Sequence, residues 1–300
     1  MAHALPPLFL AATAALAGCA TAPPVPVPRT LPMADVLLHE PGVENAYPRL
    51  SADGRRLLYQ SDRTGRWQLF VMDLATRAQT CLSDGTADDN FPDWSADGDW
   101  VAFVSNRDGN EEVYRMRIDG SGLERLTDDP ARDIHPYFAP DGRSLLFNSN
   151  RAGRSLDVWR LGLQDRSLLQ LTDGSADETC ARYAADLRSF VMLANDATQD
   201  DVFVVEVATG SRRNVTGTPH IRDGWPMFDR AGAWIYYSSM ASGRHCVHRV
   251  RIDGSVDEQL TSGGDGIEDG RAIVAEDGST LVWNRRRADG IDILWARLPS

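Results

Sequence analysis

The 300-residue sequence contains no lysine: all 31 basic side chains are arginines, set against 43 acids, for a net charge of −12. Such a balance disfavours binding to a phosphate backbone by counterion release, so nucleic acid is not an expected partner. Cysteine is scarce, with four residues, too few for a disulfide framework in a chain of this length. The apolar run at residues 8–18 covers 11 positions, short of the roughly 20 that a membrane-spanning helix needs. No stretch keeps a 3.6-residue apolar period over a helix-sized window, so minimal helix is expected. What remains, 42% hydrophobic and 25% charged residues, is the composition of a globular protein.

The apolar run is followed by Leu16-Ala17-Gly18-Cys19. A short apolar core ending in small residues has the form of a secretory signal, and the four residues resemble the lipobox of bacterial lipoproteins. That resemblance implies cleavage before Cys19 and acylation of its thiol, although the segment ahead of the run carries no Lys or Arg. Residues 20–32 hold five prolines in thirteen, which favours an extended spacer over helix or central strand. The expected organisation is a signal at 1–18, a Pro-rich tether at 19–33 and a folded body at 34–300. With Ala20, not Asp, after the cysteine, the lipoprotein resemblance also implies sorting to the periplasmic face of the outer membrane.

Self-similarity decides the fold of the body. Six segments align on an Asp-Gly-type turn and start at Pro48, Pro92, Pro136, Ala181, Pro226 and Ala272, separated by 44, 44, 45, 45 and 46 residues. Each contains four short apolar runs bounded by turn residues, as in antiparallel hairpins. In the third copy these are Tyr137–Ala139, Ser144–Asn148, Asp157–Leu163 and Leu168–Thr172. Four strands in roughly 40–45 residues make one propeller blade, so an all-β, six-bladed propeller is predicted. The sixth copy lacks a fourth strand, and residues 36–48 match residues 125–136, Leu38 over Leu126 and Pro48 over Pro136. The N-terminal segment is therefore predicted to supply the outer strand of the last blade, covering edges that would otherwise invite aggregation.

The copies PDWSADGDWVAFVSNR and PYFAPDGRSLLFNSNR resemble the repeats of the TolB β-propeller family. The resemblance covers residues 36–300 and implies an envelope compartment. TolB carries an α/β domain before its propeller and takes part in the Tol–Pal system; here the tether is read as running straight into blade one, without that domain. The same repeat precedes α/β-hydrolase domains in prolyl oligopeptidase-like enzymes, but no Gly-x-Ser-x-Gly elbow occurs here. The expectation is a non-enzymatic, monomeric scaffold that binds an envelope protein or peptide and attaches to the membrane through its lipid.

The candidate site follows from the alignment. Three residues before each start stand Asn45, Asp89, Asp133, Glu178, Asp223 and Asp269; with the residues one position earlier they carry a net −7 of the chain's −12. These positions are predicted to lie in the loops that cross one face toward the channel, as an acidic mouth. Turn formation by their side chains is the plainer role, and the two roles are compatible. Immediately before the starts stand Tyr47, Phe91, His135, Cys180, Trp225 and Arg271, of which the aromatics could stack on a sugar or grip a peptide side chain. Crowded carboxylates would accept a hard cation such as Ca²⁺ or an Arg/Lys-bearing partner. Rival readings are a polysaccharide-active enzyme, for which no pair of carboxylates stands out, and a sensor of a small cation or metabolite. No cofactor is otherwise implied, and no histidine lies at metal-ligand spacing.

Overall fold

The computed structural model describes residues 27–28, 31, 34–174, 176–195 and 199–298; the signal segment, Cys19 and most of the tether lie outside them. Among the described residues there is no helix, and the strands form six antiparallel four-stranded sheets arranged as a six-bladed propeller. Blades one to three begin with the inner strands Asn45–Leu50, Asp89–Trp94 and Asp133–Phe138. Blades four to six begin with Glu178–Tyr183, Asp223–Phe228 and Glu268–Val274.

The inner strands begin earlier than the alignment implied. The prolines at 48, 92, 136 and 226 mark strand starts in the alignment, yet each lies inside its strand. An inner strand is an edge strand, where a residue without an N–H is tolerated. In blades one to five, moreover, the ladder skips between the second and fifth residues, as at Ala46 and Arg49 or Asn90 and Asp93, and in blade six between the third and sixth, Gly270 and Ile273. The residue before each proline or alanine takes a positive φ of 49–56°: Tyr47, Phe91, His135, Cys180, Trp225 and Arg271. That conformation is costly for branched residues, and none of the six is branched at Cβ.

The core is divided into apolar slabs between neighbouring blades. Leu58, Leu69 and Val71 of blade one meet Trp94, Val101, Phe103 and Tyr114 of blade two. The closing slab sets Leu38, Ile273, Val282 and Ile293 of blade six against Leu57, Tyr59, Phe70 and Met72 of blade one. Closure is as the repeat count requires: Asp35–Leu38 pairs antiparallel with Gly290–Arg297 as the outer strand of blade six. Packing begins before residue 34. Val27–Pro28 pairs in parallel with the outer strand Asp257–Gln259 of blade five, and Leu31 packs against the slab between blades five and six.

Candidate functional site

The ring of candidate acids is not an open mouth. Asn45, Asp89, Asp133, Glu178 and Asp223 open the inner strands, Asp269 is second in its own, and all six are under 5% exposed. Most are matched by an arginine on a neighbouring strand. In blades one to three the partner comes from the Ser-Asn-Arg or Ser-Asp-Arg run that ends the second strand, 18 residues further on. Arg63 donates to Asn45 at 2.9 Å, Arg107 to Asp89 at 3.0 Å and Arg151 to Asp133 at 2.5 Å. The run's serine accepts a hydrogen bond from the same arginine, at 3.1, 2.9 and 3.0 Å. Its middle residue caps the backbone N–H ahead of the acid, as Asn106 does for Asp88 and Asn150 for Arg132, both at 3.0 Å. Aromatic rings flank the guanidinium, with Arg107 over Tyr114 at 5.2 Å. Blade six uses Arg285 bidentately on Asp269, at 2.7 and 2.8 Å. In blade four Arg212, from the outer strand, pairs with Glu178.

The sequence reading sets these carboxylates in loops around one mouth; the structure instead buries them in separate strands. Each of these acids sits inside its own blade, neutralised where an arginine is available. Among the described residues no three His, Cys, Asp or Glu side chains come together as a metal-binding group.

Blade five is the exception, because Met240-Ala241 replaces the usual run. Among the described residues no arginine pairs with buried Asp223. Burial, opposed in part by Ser239 and Thr216 and assisted by the charge of Asp201, raises its pKa to about 6. The folded pKa thus exceeds that of the unfolded chain, so folding favours the protonated acid. Stability contributed at low pH is lost as pH rises from about 4 to 6. Asp223→Asn is expected to stabilise the protein by about 1–3 kcal/mol above pH 6.5. The gain should shrink toward zero near pH 4. Paired denaturant titrations across pH 4–8 check this, and an equal effect of the substitution at both ends would refute it.

One tier inward lies the second predicted set, and here the structure brings the residues together. The Tyr47 and Phe91 rings meet edge-on at 4.8 Å, and Phe91 meets His135 at 4.5 Å. Cys180 Sγ lies 3.9 Å from His135 Nδ1. Arg271 is held between Tyr47 and Trp225, 4.3 Å from each ring centre. Together they plug the axial channel. Burial pushes the Tyr47 hydroxyl up to about 12, raises the Cys180 thiol and lowers His135 to about 4, with Arg271 adding to the last effect. All three are therefore uncharged at neutral pH. Cys180 and His135, read as a pre-strand residue and a loop residue, both lie within inner strands; Cys180 is 4% exposed.

The plug is locked between blades. Gln60 accepts from the Phe91 N–H at 2.8 Å, Asn148 from Cys180 at 3.0 Å and Ser238 from Arg271 at 3.1 Å. Asn284 accepts from the Tyr47 N–H at 3.0 Å and donates to Asn45 O at 3.0 Å, joining the last blade to the first.

Beyond the plug the channel widens into a funnel of about 250 Å³ on the face of the Asp-Gly-type turns. Its floor is set by the second residue of each repeat copy: Arg49, Asp93, Tyr137, Arg182, Met227 and Ile273. Trp94, Phe138, Tyr183 and Phe228 contribute to its wall. This tier was missed from the sequence. The signal was available, since alternate residues of a strand face the same side, and two positions past the plug residue is the floor.

Fold and channel together define a six-bladed β-propeller built from one tandem repeat and plugged on its axis. Residues 35–181 match the family model described as the TolB beta propeller domain, and the chain is a TolB-like β-propeller. Among solved structures it is similar to TolB from Acinetobacter baumannii, with 23% identity and a TM-score of 0.68. That match covers 75% of this chain and 56% of the other, so this chain accounts for little more than half of that protein. It is also similar to a putative TolB from Agrobacterium tumefaciens, with 19% identity, a TM-score of 0.68 and coverages of 77% and 84%. An oligogalacturonate lyase from Vibrio parahaemolyticus is similar at 13% identity and a TM-score of 0.57, with coverages of 88% and 93%. At these identities the likeness is one of fold. A search of curated proteins finds no match.

Proposed function

We propose that this protein is a lipid-anchored scaffold of the bacterial envelope that binds a protein partner at the funnel face of its propeller. It acts by binding, not turnover, and as a monomer. The observation that carries the reading is the funnel itself. It is a concave axial site with aromatic walls and a few convergent polar groups, which is how small recognition sites are built. The TolB-like fold supports an interaction role and an envelope location, and the Leu16–Cys19 run supports acylation at Cys19 on the periplasmic face of the outer membrane. The ring of Asn45, Asp89, Asp133, Glu178, Asp223 and Asp269 serves to hold the blades, and Tyr47, Phe91, His135 and Trp225 serve to close the channel beneath the partner.

Two measurements test this. The intact mass of protein extracted from membranes is expected to show loss of residues 1–18 and added acyl chains; an unmodified, full-length chain would overturn the anchor. Capture from solubilised envelope is expected to yield one stoichiometric protein with the parent, reduced at least tenfold when Ala96→Arg and Ala185→Arg block the exposed funnel lip. Equal recovery with the blocked lip would overturn the assignment of the funnel.

A further inference from the structure

The charge inside the channel is opposite to that of the molecule. Although the chain carries −12 overall, three arginines, Arg49, Arg182 and Arg271, approach the axis, and Asp93 is the one carboxylate in the two inner tiers. The remaining titratable groups there are Tyr47, Tyr137, His135 and Cys180, of which His135, Tyr47 and Cys180 are held neutral. The acids at the funnel lip are already committed. Glu276 pairs with Arg230 at 3.0 Å, and Asp229 Oδ1 accepts the N–H groups of Ala233 and Trp234 at 2.8 and 3.1 Å.

Asp93 is shared between the two floor arginines, and the charge of Arg182 acts on it more strongly than that of Arg49. One of its oxygens accepts the Phe138 N–H at 3.0 Å, and the other lies 3.4 Å from Arg49 Nε. Arg49 is 7% exposed and donates from Nη1 to Pro48 O at 2.7 Å. Its Nε has no hydrogen-bond partner among the described residues. The Arg182 side chain makes no direct hydrogen bond or ion pair among the described residues, although its charge acts on Asp93; its guanidinium lies 4.0 Å over the Tyr137 ring. Burial and the neighbouring Arg182 charge hold Arg49 below its ordinary pKa, as expected of a buried cation that is incompletely matched. Two guanidiniums beside one shared carboxylate carry more positive charge than Asp93 offsets, and a carboxylate is the group whose geometry a guanidinium fork fits best.

We propose that the funnel floor is a carboxylate-binding site in which Arg49 and Arg182, backed by Arg271 one tier deeper, receive an acidic residue or chain terminus from a protein partner. The proposal rests on the funnel reading above and names its chemistry. The apolar wall around Trp94, Phe138 and Phe228 would exclude water from that pair, which strengthens it relative to an exposed one. An acidic exterior would at the same time repel unselective polyanions, so binding requires a segment slim enough to enter.

The test measures fluorescence anisotropy at 150 mM NaCl with four labelled peptides. They are C-amidated hexaglutamate, C-amidated hexaglutamine, hexaglutamine with a free C-terminus, and hexalysine. Hexaglutamate or the free-terminus hexaglutamine is expected to bind, and which of the two does so identifies the carboxylate as side-chain or terminal. Amidated hexaglutamine and hexalysine are expected not to bind. Arg182→Gln, a half-buried residue without an ion pair, should weaken binding at least tenfold while the melting temperature stays within about 2 °C. Arg182→Lys should recover only part of the loss, since a point charge lacks the fork. Arg213→Gln, at the exposed outer strand of blade four, should change nothing. No carboxylate-dependent binding up to 1 mM, equal affinity in Arg182→Gln, or tighter binding of hexalysine would overturn the proposal. Envelope capture of a partner that is indifferent to Arg182→Gln would overturn it while leaving the scaffold reading intact. Carboxylate binding without any captured partner would do the reverse.

Discussion

Deleting residues 20–40 is expected to lower the melting temperature of the propeller by about 10 °C or more. The deletion removes Asp35–Leu38, the outer strand of blade six, and leaves the ladder of Gly290–Arg297 open along one side. Burial of Leu38 contributes about 2 kcal/mol, and each ladder hydrogen bond about 1 kcal/mol. His39, which bonds Asp292 at 2.8 Å, and Glu40, which lies 3.2 Å from Arg63 of blade one, go with it. A loss of roughly 4 kcal/mol at about 2–4 °C per kcal/mol gives the stated shift. Deleting residues 20–31 alone should cost clearly less, since it removes the Val27–Pro28 pairing and the Leu31 contact but spares the strand. A melting temperature for the 20–40 deletion equal to the parent's would show that closure does not depend on this segment.

The second large effect is expected at the arginine that matches a blade's acid. Arg107→Met should destabilise the protein by about 3–5 kcal/mol, because it strands the Asp89 carboxylate, 1% exposed, without its partner. The loss of the guanidinium between Phe103 and Tyr114 adds a smaller amount. In the double variant Arg107→Met with Asp89→Leu, most of the stability should return, since two apolar groups can replace a buried pair at little net cost. Denaturant melts of both singles and the double close the cycle. A single variant within 1 kcal/mol of the parent, or a double as unstable as the sum of the singles, would contradict the pairing.

These two results bear on different parts of what the sequence could disclose. Blade number and ring closure were legible because they depend on repetition: six copies at a period of 44–46 residues, and Leu38 falling in register with Leu126. The positions of Asn45 and Tyr47 and their counterparts were also legible, but their surroundings were not. Prolines read from sequence as strand boundaries, which sets the acids in loops. The bulge that lets an edge strand carry a proline moved them into the sheet and buried them. Their arginine partners lie 18 residues away in sequence, across a hairpin, and the constant separation of 45 from 63, 89 from 107 and 133 from 151 was the signal left unused. The charge of the channel was hidden for a related reason. A net count of acids describes the whole chain, whereas Arg49, Arg182 and Arg271 reach the axis only through the twist and bulge of three separate blades. The absence of an arginine at Met240-Ala241, visible in the sequence, acquires meaning only with the burial of Asp223.

The most direct measurement of where this protein acts is site-specific photo-crosslinking in intact envelopes. A benzophenone side chain would be placed at Ala96, exposed on the funnel lip, and in a separate variant at Leu123, exposed beside the outer strand of blade two. The expected result is one discrete crosslinked protein from Ala96, lost when Arg182→Gln is added, and none from Leu123. Crosslinking from Leu123 but not from Ala96 would place the partner on the rim of the propeller and contradict the assignment of function to the funnel.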